Sequence, residues 1–98
     1  MNRWKDARGG SLMFEVHVFI DLKEGISDPE GANTLKALRL LGFDSVQSAK
    51  MSKDLCLLIN EEKKEKVRKD VEQMCRRLLI NPVIHKYRIS VKELHKTQ

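Results

Sequence analysis

Two proline turns divide this chain more sharply than any other feature. The first, residues 22–31, ends in Asp28-Pro29-Glu30-Gly31 and leads into one helix; the second, residues 81–89, begins Asn81-Pro82 and leads out of another. Proline has no amide hydrogen and a fixed φ, so it is welcome at the first position of a helix and stops one elsewhere. Asp28 is placed to cap the free amides of the opening turn, and Pro29 sits where a missing N–H costs nothing. Asn81 reads as a left-handed residue closing the second helix, and Pro82 forbids its continuation.

The elements between these boundaries follow from periodicity. Residues 13–21 alternate, with Phe14, Val16, Val18 and Ile20 on one face and Glu15, His17 and Asp21 on the other, which predicts a half-buried strand. Phe19 breaks the polar face. The first helix carries Leu35, Leu38 and Leu41 as its buried stripe, with Gly42 ending it in the left-handed conformation and Phe43 packing back on its last turn. Gly31 lies inside the first turn, where it costs about 1 kcal/mol against Ala. That choice of residue fits a close backbone approach by another segment. Residues 45–51 and 54–60 read as two strands, the first weak in apolar residues and the second strong. Residues 61–80 read as a helix with Val67, Val71, Met74 and Leu78 inward, and residues 84–91 as a last strand.

The expected fold is therefore α+β with the split βαβ order β-α-β-β-α-β: a four-stranded antiparallel sheet with both helices on one face. Residues 1–12 read as a flexible basic extension, 13–92 as the domain and 93–98 as a polar tail. Ninety-eight residues bound the chain to a single core. On the sheet face away from the helices, Phe19, Cys56 and Leu58 form an apolar patch that predicts oligomerisation.

Charge discriminates less than it promises. The formal net charge of +5 invites an acidic partner. Much of the excess, however, comes from Lys63, Lys64, Lys66, Arg68, Lys69, Arg76 and Arg77, interleaved with Glu61, Glu62, Glu65, Asp70 and Glu72 as a mixed solvated surface. A nucleic-acid module of ferredoxin-like topology is the alternative reading. It lacks the aromatic platform that base stacking requires, since only Phe19 and Tyr87 are available. No stretch is long and apolar enough to span a membrane, no signal peptide is evident, and the chain reads as cytoplasmic.

No catalytic, cofactor-binding or metal-binding set is legible. His17, His85 and His95 have no sequence neighbour to orient them, and neither P-loop nor GxGxxG is present. Asp28 and Glu30 are better read as a cap and a surface carboxylate than as metal ligands. Cys56 and Cys75, with no CxxC spacing, read as small hydrophobes. A small-molecule regulatory domain using its helix-capping turns as a ligand site remains a third reading.

From Phe14-Glu15-Val16-His17-Val18, through Leu22-Lys23-Glu24-Gly25, Asp28-Pro29-Glu30-Gly31 and Leu41-Gly42-Phe43, to Leu78-Leu79 and Asn81-Pro82-Val83-Ile84, the chain resembles the PurS family. These are small subunits of phosphoribosylformylglycinamidine (FGAM) synthase in purine biosynthesis. The resemblance implies a non-catalytic homodimer bridging the large synthetase subunit PurL and the glutaminase PurQ, so that ammonia passes between them without leaking. ATP and Mg would then be used by the synthetase partner, and none bound here. On that reading Asp28, Pro29 and Gly31 set the entry of the first helix and Asn81 and Pro82 the exit of the second, with contact to a partner at these turns a hypothesis beside the purely structural role. The patch of Phe19, Cys56 and Leu58 is a separate candidate interface.

Overall fold

The computed structural model describes residues 12–94. Its elements are β1 (Leu12–Leu22), α1 (Pro29–Leu40), β2 (Lys53–Glu61), α2 (Lys64–Met74) running into a π-helical turn (Cys75–Leu79), and β3 (His85–Leu94). The extension expected at 1–12 lies outside the described residues except for Leu12, which opens β1. β3 runs two residues into the stretch expected as tail.

Among the described residues the sheet has three strands, not four, in the order β2-β1-β3, with both pairings antiparallel. Residues 45–51, expected as a strand, form no ladder. Val46, Ala49 and Met51 are too few apolar side chains to hold an edge strand against a core face. Central β1 fulfils its alternation: Phe14, Val16 and Val18 are fully buried and Ile20 nearly so. Antiparallel register sets Leu55, Leu57 and Ile59 of β2, and Tyr87, Ile89 and Val91 of β3, beside them on the same face. α2 closes that face with Val67 and Val71, followed by Cys75 and Ile80. Burial of each large side chain contributes about 1.5–3 kcal/mol. Tyr87 Oη donates to Glu72 Oε2 at 2.8 Å, fastening α2 to β3.

The inward stripe expected for the second helix fails at its C-terminal end. Met74 is 37% exposed and Leu78 82%, whereas Cys75 is fully buried. The π-helical turn explains the change: Ile80 N–H donates to Cys75 O at 2.9 Å, five residues back, so the extra residue rotates Leu78 outward. Asn81 is not left-handed, because no described residue but glycine has positive φ. The π-helical turn already releases the chain in extended form at Ile80 (φ −119°, ψ 135°). Asn81 instead organises the next turn: its side-chain Oδ1 accepts from Val83 N–H at 3.0 Å, and its carbonyl accepts from Ile84 and His85.

α1 begins and ends as its residues dictate, yet it does not cover the sheet. Asp28 Oδ1 accepts from Gly31 N–H at 2.9 Å. At the other end Gly42 (φ 98°) and Phe43 donate to Arg39 and Leu38 carbonyls in a Schellman closure. Its only buried residue is Gly31. Leu35 and Leu38 are half-buried, while Leu40, Leu41 and Phe43 are exposed at 81%, 73% and 57%. Both helices therefore do not share one sheet face within the chain, and Phe43 does not pack away against the last turn. The radius of gyration, 17.8 Å, exceeds the about 12–13 Å of a compact domain this long.

Gly31 answers to local crowding. A Cβ there would lie 2.6 Å from the Ala49 carbonyl oxygen and 2.5 Å from Asp28 Oδ2, so residues 49–51 approach the helix backbone closely. Asp28 Oδ2 also accepts from Met51 N–H at 3.0 Å, and one carboxylate thus holds both segments. Gly31→Ala should destabilise the fold by about 1–3 kcal/mol, read as a lowered midpoint in urea. A variant as stable as the parent would show that residues 49–51 can withdraw freely.

Candidate functional site

Two regions gather the side chains singled out from sequence. The first is the β1–β2–β3 face opposite α2. Alternation on β1 points Glu15, His17 and Phe19 outward together, and register sets Leu58, Cys56 and Asp54 beside them on β2, with Lys92, Ser90 and Arg88 on β3. Phe19, Cys56 and Leu58 do share this face, but charged and polar groups interrupt them. His17 stacks on Phe19 with ring centroids 5.7 Å apart and planes 11° from parallel, and the Arg88 guanidinium lies 4.6 Å over the same ring.

His17, without an orienting neighbour in sequence, is held at both nitrogens. Nδ1 is 2.8 Å from Asp54 Oδ1 and Nε2 is 3.1 Å from Glu15 Oε2, while Cys56 Sγ lies 3.8 Å from Nε2. Asp54 first, then Glu15, raise its pKa by accepting hydrogen bonds from the charged ring. Partial burial pushes the Cys56 thiol up, with the Glu15 and Asp54 charges adding to it. Burial does the same to Cys75, and both cysteines are free. Glu15 and His17 could be paired from strand alternation alone. Asp54 and Cys56 could not, because they meet β1 only through a register across 37 and 39 residues of chain.

The second region is where the proline turns meet. Lys23, passed over in the sequence, joins them: its N–H donates to Ile84 O at 2.8 Å and its Nζ to Pro82 O at 2.6 Å. Asp28, Pro29 and Gly31 open α1 on one side, while Asn81 and Pro82 precede β3 on the other. Met51 N–H first, then Gly31 N–H, hold the Asp28 carboxyl below its ordinary pKa. A cleft of about 460 Å³ opens beside this junction, walled by Lys23, Lys50 and Lys86 against Asp21, Glu24 and Asp28. Asp28 and Gly31 are committed to internal contacts, whereas Pro29, Asn81 and Pro82 are exposed.

A family model described as "PurS: Phosphoribosylformylglycinamidine (FGAM) synthase" matches residues 15–93. The chain is similar to the phosphoribosylformylglycinamidine synthase subunit PurS of Methanocaldococcus jannaschii, 42% identical over 82 residues, covering 84% of this chain and 99% of that one. To the Archaeoglobus fulgidus subunit of the same name it is 47% identical over 76 residues, covering 78% and 95%. Among solved structures, M. jannaschii PurS aligns with TM-score 0.76 at 43% identity, over 84% of this chain and 99% of the other. A chain in the structure of PurLQS from Thermotoga maritima aligns with TM-score 0.71 at 29% identity, over 84% and 98%.

The His17 geometry makes a pH prediction with a defined sign. A histidine pKa raised in the folded state stabilises the fold fully below about 6.5, its unfolded value, and that contribution is lost as pH rises through the folded value. Asp54→Asn should bring the His17 pKa down towards 6.5 in an NMR titration and flatten stability across that window. An unmoved pKa would mean that Asp54 does not hold the ring.

Proposed function

This chain belongs to the PurS family of FGAM synthase subunits in purine biosynthesis, and we propose that within that enzyme it is the non-catalytic bridge between synthetase and glutaminase. The observation that carries this reading is the alignment of nearly a whole chain of the Thermotoga PurLQS structure with this one. On this reading the large subunit PurL uses ATP and Mg to activate the substrate amide, and PurQ releases ammonia from glutamine. This chain holds the two together, in the cytoplasm where the pathway's substrates are. No described helix is long and apolar enough to cross a membrane.

A subunit of this kind also pairs with a second copy of itself. Three features support that reading: the exposed Leu40, Leu41 and Phe43, the uncovered stripe of α1, and a radius of gyration larger than one compact core gives. The sheet face bearing Phe19, Cys56 and Leu58 is the second contact surface. Pro29, Asn81 and Pro82 reach towards the partner enzymes from the joined turns, with Asp28 and Gly31 fixing their shape from behind.

Two measurements test these statements separately. Purified with PurL and PurQ, the chain should be inactive alone yet required for glutamine-dependent FGAM formation. Undiminished turnover without it would sink the bridging role. Leu41→Glu combined with Phe43→Glu should halve the mass seen by light scattering at micromolar concentration and leave β1, β2 and β3 folded by circular dichroism. A parent chain that is already monomeric there would remove the homodimer.

A further inference from the structure

We propose that Glu15, His17 and Cys56 form a binding site for a divalent transition-metal ion of the zinc type, with Asp54 orienting the imidazole. The PurS assignment does not require a metal ion here, although Cys56 also belongs to the sheet face proposed above as a contact surface. The donors stand on adjacent paired strands, Glu15 and His17 two residues apart on β1 and Cys56 opposite His17 on β2. One oxygen, one nitrogen and one sulfur all lie within 4.8 Å of each other.

Their spacing suits tetrahedral coordination. With zinc bonds of about 2.0–2.1 Å to nitrogen or oxygen and 2.3 Å to sulfur, tetrahedral edges come to about 3.3 Å for N···O and 3.6 Å for N···S. The observed values are 3.1 Å between His17 Nε2 and Glu15 Oε2, and 3.8 Å between Nε2 and Cys56 Sγ. These two edges lie within a few tenths of an ångström of the tetrahedral values, and the third, between the Glu15 carboxylate and Cys56 Sγ, lies within 4.8 Å and has to close to about 3.6 Å when an ion is held. Paired strands provide the rigid support that such a site needs.

The chemistry of the donors selects the ion. A thiolate and an imidazole beside one carboxylate suit zinc or cobalt, whereas magnesium and calcium take oxygen ligands in greater number. Thiolate, carboxylate and neutral imidazole total two negative charges, equal and opposite to a dication. Asp54 Oδ1, 2.8 Å from Nδ1, accepts a hydrogen bond from the N–H that must stay on that nitrogen when Nε2 turns its lone pair to the metal. Three protein ligands leave the fourth position to water on the open side of the sheet.

The test uses the full reduced chain under anaerobic conditions, titrated with Co(II) and then Zn(II). Expected are one ion per chain, a thiolate-to-cobalt charge-transfer band, displacement of the colour by zinc, and a raised melting temperature. Cys56→Ser should abolish the band, and His17→Asn and Glu15→Gln should each weaken binding by tenfold or more. Asp54→Asn should weaken it about 10–100-fold while keeping the band, as a positioning residue does. In the unmodified chain Zn(II) should slow alkylation of Cys56 by tenfold or more, which needs no variant to fold. No charge-transfer band, a band that survives Cys56→Ser, or an unchanged alkylation rate would each overturn the site.

Discussion

The fold depends on one packing event: the outward-inward alternation of β1 meeting the apolar side of α2. Among the described residues, Phe14, Val16, Val18 and Ile20 supply half of the buried core, and β1 alone has a strand on each side. Because strand side chains alternate strictly, fixing these four inward fixes Glu15, His17 and Phe19 outward. A slip of one residue would bury a carboxylate and an imidazole and expose the core. The chemistry of the open face is thus a by-product of hydrophobic register, specified as firmly as the core itself.

A second layer of order is polar and long-range. Asp28 caps α1 with one oxygen and retains Met51 with the other, so a local helix signal becomes a tertiary link. Lys23 joins the first turn to the second, and Asn81 builds the reversal that presents its carbonyl-rich backbone. These bonds organise segments that contribute almost nothing to the core. Capping and crowding account fully for Asp28 and Gly31, and exposure distinguishes Pro29, Asn81 and Pro82 from them.

What the sequence disclosed, and what it hid, follows the range of each interaction. The β1 alternation, the Asp28-Pro29 start and the Gly42 stop of α1 are local signals, and each stands in the structure. Residues 45–51 had strand-like length but no apolar face to pair, and the expected fourth strand is absent. The π-helical turn at Cys75–Leu79 has no composition signature, so the extrapolated stripe misassigned Leu78 and left Asn81 with the wrong backbone conformation. α1 was recognisably amphipathic, but periodicity names an apolar face without naming what covers it. The Glu15–His17–Cys56–Asp54 cluster depends on inter-strand register, which single-strand patterning does not encode.

The weak seating of α1 divides the molecule into two tiers of cohesion. The sheet and α2 share buried apolar contacts and open together, whereas residues 29–52 rest on a few hydrogen bonds and one buried glycine. Segments of that kind open with a small fraction of the global unfolding free energy. Any partner that covers the exposed leucines closes the upper tier by mass action. The chain is thus held most firmly where it is covered from within and least firmly where its apolar side chains are open to solvent.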